Sequence, residues 1–330
     1  MSHSMKFLVV GKTLLVFSTL ALLSGNGTAS PPPGPDGPSS ASQGVEGPIS
    51  PLLKIPDLIT FWSFQEPAGT SRRSTGRFQY ELTEMNGPIE RANDGVFGPY
   101  CADLEWGQWF RIPRASCPGL DLHGEGQQVT MVAWIKRESD RLWQFIAGVW
   151  DEGDKGFIGQ PRGEGPRAPA RQYAMFISGA WQNDYTSYER TAARDQAMGY
   201  VSSHGGATPG ATAAFDYATG KTRLKTDRWY MLAYTYDGKW ISVYVDGELD
   251  SNGNYNPFSF DGPIHDGRRG GADFTVAQRD HPHWPHYPEG VADFEEGFDG
   301  RIGGLAVYDR ALSSDEIRSL YDSTKKGMKH

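Results

Sequence analysis

The stretch from Trp229 to Gly247 places the strongest constraint on how this chain folds. Its two halves consist almost entirely of aromatic, aliphatic and β-branched residues, and Asp237-Gly238-Lys239 separates them. This composition predicts two strands closed by a tight Asp-Gly turn. Alternation along the first strand puts on one face Tyr230, Leu232, Tyr234 and Tyr236, and on the other Trp229, Met231, Ala233 and Thr235. Because both faces are largely apolar, we predict a central hairpin that is covered on both sides.

Two further segments share the character of this hairpin. One precedes it and reads Val129-Thr-Met-Val-Ala-Trp-Ile-Lys136, and the other follows it and reads Phe298-Asp-Gly-Arg-Ile-Gly-Gly-Leu-Ala-Val-Tyr-Asp-Arg-Ala-Leu312. Together the three segments resemble, in the expected order, strands of the laminin-G-like jelly rolls in the concanavalin A-like lectin/glucanase superfamily. The resemblance spans roughly residues 55 to 323. It implies an all-β fold, a two-sheet antiparallel jelly-roll β-sandwich with loop insertions.

The end of the chain predicts a short C-terminal helix. Ser313 and Glu316 have the spacing of a capping box, and Ile317, Leu320 and Tyr321 follow at helical spacing. We expect this helix to pack on the sandwich in a structural role.

The first 54 residues differ in composition from the rest of the chain. Residues 1–29 combine Lys6 and Lys12 with an apolar run that is too short to span a bilayer, which is typical of a signal peptide. Residues 30–54 are rich in Pro, Gly and Ser and predict an extended linker. The sequence therefore predicts a jelly-roll domain at residues 55–330, with an insertion at about 150–215, that is secreted or delivered to the periplasm or cell surface.

The charge of the chain narrows its partners. The net charge is −8 and no block of Lys and Arg occurs. Nucleic acid and anionic membrane surfaces are therefore excluded as expected partners.

Cys101 and Cys117 are the only cysteines. An even number of cysteines in an exported protein is typical of a disulfide, and a metal site is disfavoured because no His ligands neighbour the pair. We therefore predict a Cys101–Cys117 disulfide.

The insertion contains a polar and aromatic segment, Trp181-Gln-Asn-Asp-Tyr185. Aromatic rings beside amides and acids suit sugars, since a ring covers the apolar face of a pyranose while polar groups bind its hydroxyls. Trp181 and Tyr185 are therefore candidate ligand-binding residues. The alternative is that these two rings only pack the insertion onto the sandwich.

A second unusual segment lies between Arg279 and Pro288, where proline recurs at every third position. This is the period of a polyproline II helix, in which His283 and His286 share one face and Trp284 and Tyr287 another. These four residues are candidate ligand-binding residues at a glycan-contacting rim. Two alternatives remain open, a metal site at the two histidines and a structural loop without a ligand.

The catalytic pattern of the superfamily's glucanases, Glu-x-Asp-x-x-Glu on one strand, is absent. Glu248-Leu-Asp250 comes closest, but Gly253 stands where the last Glu is required. Asp293 and Glu295 alternate in a similar way within an acidic run that favours a solvated surface. In the closing strand Gly303 replaces an Asp that the family often has near a structural calcium, so the resemblance does not carry this calcium site over.

The sequence supports three functional hypotheses. The first is a secreted glycan-binding, lectin-like module that contacts extracellular polysaccharide. The second is a glycan-cleaving hydrolase or lyase with a non-standard site in the insertion, drawing on His204, Asp184, Glu189 and Arg194. The third is an extracellular protein-binding or adhesion module. The catalytic residues, if any, are not identified by any motif.

Overall fold

A computed structural model describes residues 49–153, 168–179, 193–211, 213–268, 271–280 and 296–329. The two helices of this part are α1 (Ser50–Lys54) and α2 (Ser314–Thr324). Its strands are β1 (Leu58–Trp62), β2 (Arg72–Thr75), β3 (Glu81–Met85), β4 (Glu90–Ala92), β5 (Cys101–Leu104), β6 (Trp109–Ile112), β7 (Val129–Arg137), β8 (Gln144–Val149), β9 (Tyr173–Ile177), β10 (Ala197–Val201), β11 (Tyr217–Thr219), β12 (Trp229–Tyr236), β13 (Trp240–Val245), β14 (Glu248–Leu249), β15 (Phe258–Ser259), β16 (Phe274–Val276) and β17 (Gly300–Tyr308). The predicted signal peptide and residues 30–48 of the predicted linker lie outside these ranges. No helix within them is long and apolar enough to cross a membrane.

The strands form two antiparallel layers joined at one edge, and this confirms the predicted jelly-roll β-sandwich. In the first layer, called sheet I, β14 and β15 pair with the two ends of β13 along its outer edge, and β13 is followed by β12, β7 and β17; β17 in turn pairs with β5 and with β1. In the second layer, called sheet II, the order is β3, β6, β16, β8, β9, β10, β11. The pairing of β2 with β3 links the two sheets.

The predicted hairpin is confirmed as the β12–β13 pair. Leu232 pairs with Val245 across the hairpin, and on its other side β12 pairs with β7 along its whole length. Strand β7 pairs in turn with β17, so the three segments that resemble the superfamily are adjacent strands at the centre of sheet I. Each of these three strands is apolar on both faces. This composition is typical of central strands in a sheet that is covered on both sides.

Both faces of the hairpin are buried, as predicted, by different partners. The face that carries Leu232 points between the sheets into the main core, where it meets inward-facing residues of sheet II such as Met175 and Val201. The opposite face, which carries Met231 and Ala233, packs under the helices with Leu52 and Leu320. The sandwich therefore has one core between its sheets and a second core between sheet I and the helices.

Gly303 is required by close packing on the outer face of sheet I. A Cβ atom at this position would lie 2.8 Å from Cγ2 of Val96 and 3.0 Å from the ring of Trp229. Asp94, in the same loop as Val96, accepts a hydrogen bond from Trp229 Nε1 at 3.2 Å and so fixes the loop against the sheet. The space that an Asp side chain at position 303 would fill is thus occupied by the loop that carries Asp94 and Val96.

The predicted Cys101–Cys117 disulfide is wrong, because both cysteines are free and buried. Cys101 begins β5 and packs in the core beneath the helices, whereas Cys117 follows β6 and belongs to the core between the sheets. Their thiols point to different carbonyl groups, that of Ala92 for Cys101 and that of Pro113 for Cys117. Proximity in the sequence did not place them on one face of the fold.

The predicted capping box of α2 is confirmed. Its Glu316 also forms an ion pair with Arg310, and this pair predicts a pH-dependent contribution to the stability of the fold. Hydrogen bonds from Arg310 lower the pKa of Glu316 to about 2, against the opposing effect of burial. Because the pKa is depressed on folding, this contribution is complete above the ordinary Glu pKa and is lost as the pH falls toward about 2. Glu316→Gln is expected to lower the free energy of unfolding at pH 6 by about 1 kcal/mol or less, since the pair is partly exposed.

Chemical denaturation of the Glu316→Gln variant and the parent protein between pH 6 and pH 3 measures this difference, which should narrow toward acid pH. Asp315→Asn removes an exposed charge from the same helical turn and serves as the control. A difference that stays constant with pH would contradict the assignment to the Arg310–Glu316 pair.

Candidate functional site

The outer face of sheet II carries a cluster of interlocking aromatic rings. The rings belong to Phe145, Trp150, Phe176, Tyr200, Phe215 and Tyr217. Trp150 lies edge-on to Phe176 and Tyr200, with ring centroids 5.8 Å and 5.2 Å apart, and the Tyr200 and Tyr217 centroids are 4.9 Å apart. Each ring is at most 5% exposed. We call this group the ring cluster; it forms the base of the candidate site.

Strand alternation explains why the rings lie on this face. Along β9, Tyr173, Met175 and Ile177 point into the core between the sheets, so Ala174 and Phe176 point outward. Since the outward positions of β8 and β10 are also apolar, both faces of sheet II are packed at these strands. An apolar outer face of this kind can be covered by further residues of the chain, unlike the polar outer face of a sheet that is exposed to solvent.

A buried ion pair borders the ring cluster at Trp150. The indole Nε1 of Trp150 donates a hydrogen bond to Glu152 Oε1 at 2.7 Å, and Arg171 forms an ion pair with the same carboxylate. The Arg171 guanidinium lies 5.6 Å from the centre of the Trp150 ring. Burial lowers the pKa of Arg171 to about 10, against the raising effect of the Glu296 charge, so Arg171 remains a cation at neutral pH.

A second ion pair, whose arginine is buried and whose glutamate is partly buried, lies beside the first. Arg279 Nε and Glu296 Oε2 are 2.6 Å apart, and the Arg279 side chain is 2% exposed. Because the charge of Glu296 also acts on Arg171, the two pairs form one electrostatic group. Two guanidinium groups are therefore held at fixed positions beside the ring cluster by carboxylate partners.

Gln278 adds a buried amide next to this group. Its Oε1 accepts the N–H of Arg279 at 3.0 Å, while its Nε2 has no hydrogen-bond partner within the described ranges. Thr275 on the neighbouring strand β16 is also buried, and its Oγ1 lacks a partner within the same ranges. Buried donors without partners are rare in folded proteins, so these two groups are suited to bind a ligand or an ordered water molecule.

The predicted ligand-binding residues all lie outside the described residues, and their role stays a prediction. They are Trp181, Tyr185, His283, Trp284, His286 and Tyr287. The same holds for Asp184 and Glu189 of the enzyme hypothesis and for Asp293 and Glu295.

Three described residues that flank the two predicted segments contact the chain along β8 of sheet II. Asp280, which precedes the second segment, donates its backbone N–H to the carbonyl of Trp150 at 2.9 Å. Glu296, which follows it, accepts a hydrogen bond from the backbone N–H of Phe145 at 2.7 Å. Gly179, which precedes the first segment, lies against the ring of Trp143. The described residues Gly179, Asp280 and Glu296, which flank the predicted segments, therefore contact β8 or the residues next to it, beside the ring cluster.

The structure does not bring together the two described residues of the enzyme hypothesis. Arg194 precedes β10 and donates a hydrogen bond to the carbonyl of Asp140, whereas His204 follows β10 near His265. The five residues of β10 lie between them, a strand length of about 16 Å at about 3.3 Å per residue.

The carboxylates of the partial glucanase motif have structural partners. Glu248 is exposed and paired with Arg318, while Asp250 is buried and accepts hydrogen bonds from the N–H and the hydroxyl of Thr222 at 2.9 Å. Across the ranges that the structure describes, no group of three or more His, Cys, Asp or Glu side chains is arranged to hold a metal ion.

A family model described as the Concanavalin A-like lectin/glucanases superfamily matches residues 114–318. The chain belongs to this superfamily. The matched range contains the ring cluster, both ion pairs and the three central strands of sheet I. Among proteins with curated descriptions, none matches this superfamily member.

Several solved structures resemble this concanavalin A-like domain at low sequence identity. Domain 4 of an extracellular arabinanase from Geobacillus stearothermophilus, in complex with arabinotriose, is 18% identical with a TM-score of 0.47, and the match covers 80% of this chain and 98% of that one. A sialidase from Trypanosoma rangeli in complex with sialic acid is 15% identical with a TM-score of 0.48, over 84% of this chain and 35% of the sialidase. These likenesses do not identify a ligand.

Sequence patterns do not reveal the residues that form the base of the site. Trp150 and Arg279 stand only at the limits of unusual segments, and no motif singles out Arg171 or Glu296. One signal is present, since Arg279 and Glu296 flank the second predicted segment and have opposite charges. Their pairing depends on contacts between distant parts of the chain, which periodicity does not report.

Proposed function

We propose that this protein is a glycan-binding module of the lectin type that binds extracellular polysaccharide at the outer face of sheet II. The observation that supports this most is that described residues flanking both aromatic segments contact β8 or the residues next to it, beside the ring cluster. Membership of a superfamily of lectins and glucanases is consistent with it but does not select a ligand. Export through residues 1–29 is part of the same proposal.

The composition of the site supports a sugar as ligand. The ring cluster supplies a rigid apolar base, and Gln278 beside it has an amide Nε2 without a partner among the described residues. In the proposed complex, rings of the predicted segments stack on pyranose faces, while polar groups of the site bind hydroxyl and ring oxygens.

The same geometry favours binding over cleavage. A general acid for glycoside hydrolysis has to hold a proton on its carboxyl group and release it to the leaving oxygen. Of the carboxylates that the structure describes at the site, Glu152 is paired with Arg171 and Glu296 with Arg279. These two carboxylates act as positioning groups for Arg171 and Arg279.

The test is a glycan array followed by calorimetry of the full chain against the polysaccharides that bind. Trp181→Ala and Trp284→Ala are each expected to cost roughly 1 to 3 kcal/mol of affinity, the scale for aromatic anchors, with a nearly unchanged melting temperature. Trp106→Ala is a matched control, because Trp106 is an exposed tryptophan whose ring face is occupied by Arg141, 4.3 Å from its centre.

Three results would contradict the proposal. The first is no binding to any polysaccharide, with or without calcium. The second is early melting of both variants with binding intact, which would make the two rings packing residues. The third is the release of new reducing ends or unsaturated products, which would favour the enzyme hypothesis; capture of a specific protein ligand from an extracellular extract would favour the adhesion hypothesis.

A further inference from the structure

A shallow groove lies at the hairpin turn, on the edge of sheet I and away from the ring cluster. Its volume is about 710 Å³, within the range of about 300–1,000 Å³ that is usual for small-ligand sites. It is lined by Asp237, Trp240, Ser242, Gly253, Asn254, Pro257, Phe258 and Ser259. Neither the candidate site on sheet II nor the resemblance to the superfamily accounts for this groove.

Trp240 is the exposed ring of the groove, with 48% of its surface accessible. The Asp237 carboxylate accepts hydrogen bonds from the N–H groups of Lys239 at 2.8 Å and Trp240 at 2.7 Å, which fixes the turn and the start of β13. Tyr244 lies on the same face of β13, and it is buried beside α2, where its hydroxyl lies 3.2 Å from that of Ser314. The helix therefore protects Tyr244 and leaves Trp240 exposed.

The neighbours of Trp240 leave its ring open. Ser259 on β15 is its cross-strand partner, and Ser242 is the next residue on the same face of β13. A tryptophan that stabilises a sheet by packing is usually set against large apolar or aromatic neighbours. Here both neighbours are small and carry hydroxyl groups, so the indole face is available to a ligand with polar groups at its rim.

We propose that this groove is a carbohydrate subsite that binds a neutral oligosaccharide by stacking on Trp240. Among the residues that the structure describes, the carboxylate of Asp237 is the only charged group in the lining and no cation joins it, so phosphate, sulfate and uronate groups are disfavoured. Asp237, Ser242, Asn254 and Ser259 supply hydrogen-bonding groups around one ring. This pattern fits the hydroxyls and the apolar face of a pyranose better than an apolar protein segment.

The subsite is independent of the function proposed for sheet II, because it shares no residue with it. Were both correct, the protein would have two binding positions on one rigid domain, and its avidity for a polymer would exceed its affinity for a short oligomer.

The experiment follows the indole N–H signals of the full chain by NMR during titration with neutral hexasaccharides of glucose, xylose, mannose or arabinose, with hexagalacturonate as the acidic probe. The Trp240 signal is assigned by its loss in Trp240→Phe. We expect one neutral hexasaccharide to shift this signal in a saturable way and Trp240→Ala to weaken that binding at least about tenfold. Ser259→Phe, which fills the groove opposite the ring, is expected to have the same effect, and Trp106→Ala none.

Each of the remaining outcomes overturns the subsite. They are no shift of the Trp240 signal at millimolar neutral sugar, a shift with hexagalacturonate alone, and a shift with protein concentration in the absence of sugar, which would identify a second copy of the chain as the occupant. Loss of glycan binding in Trp284→Ala with an intact Trp240 response would separate the two sites. Failure of the sheet II proposal therefore leaves the test of Trp240 unaffected.

Discussion

Leu232→Asp is expected to prevent folding of the domain. Leu232 is fully buried in β12, between β13 and β7, and its side chain points into the core between the two sheets. An aspartate there would place a charge without a partner among apolar side chains, and an uncompensated buried charge costs several kcal/mol. Because native domains are stable by only about 5–15 kcal/mol, this loss removes most or all of the stability.

Circular dichroism, solubility and thermal melting of the variant check this expectation. Leu249→Asp makes the same substitution at an exposed leucine of the same sheet and is expected to change stability by less than about 1 kcal/mol. A soluble Leu232→Asp variant with a native melting transition would show that this face of the hairpin is wrongly assigned.

Asp195→Asn is expected to cost about 3–5 kcal/mol, the scale for breaking a buried ion pair from one side. Its partner Arg137 is only 1% exposed and donates to Asp195 Oδ1 at 2.7 Å and to the carbonyl of Leu224 at 3.0 Å. Without the carboxylate, the guanidinium stays buried with its charge uncompensated. Asparagine preserves the shape of the side chain and tolerates the positive φ of 64° at this position, so the substitution mainly removes the charge.

The loss should depend on pH in a defined direction. Burial tends to raise the pKa of Asp195, but the hydrogen bond and charge of Arg137, together with the hydrogen bond of Arg223 and the charge of Arg194, hold the pKa below its ordinary value. A depressed pKa contributes stability that is complete above about pH 4, the unfolded value, and that is lost as the pH falls further. The difference between Asp195→Asn and the parent protein should therefore be largest near neutral pH and narrow below pH 4.

Chemical denaturation across this pH range is the measurement, and Asp246→Asn is the matched control. Asp246 also has a positive φ and an arginine partner at 2.9 Å, but that partner, Arg228, is 44% exposed. An exposed pair contributes about 1 kcal/mol or less. Equal losses of unfolding free energy in Asp195→Asn and Asp246→Asn would show that burial of the arginine partner does not determine the cost.

The central strands were predictable because their information is local. Alternation in Trp229–Tyr236 and the Asp237-Gly238 turn specify a hairpin without reference to any distant residue. The capping box at Ser313 is local in the same sense, since the Glu that completes it lies three residues away. The hairpin and the capping box were therefore predicted correctly, because residues close in the sequence determine both structures.

The failed disulfide and the missed site residues depend on long-range geometry. Cys101 and Cys117 are close in the sequence, but a strand pairing and a turn direct them into different cores. Arg171 and Glu152 are paired because β8 and β9 are adjacent strands. The spacing of residues in the sequence does not predict that adjacency. Export and an even number of cysteines favour a disulfide in proteins on average. Whether two given cysteines form one depends on the positions of their side chains in the fold.

The two buried thiols have a consequence for how this protein responds to oxidants. Burial raises the pKa of both Cys101 and Cys117 to about 12, so at neutral pH almost none of either thiol is present as the reactive thiolate. A thiol reagent in solution reaches them only when the surrounding core opens. The fold consequently does not depend on a disulfide between these two cysteines, and the rate at which either one is labelled reports how often its own core opens.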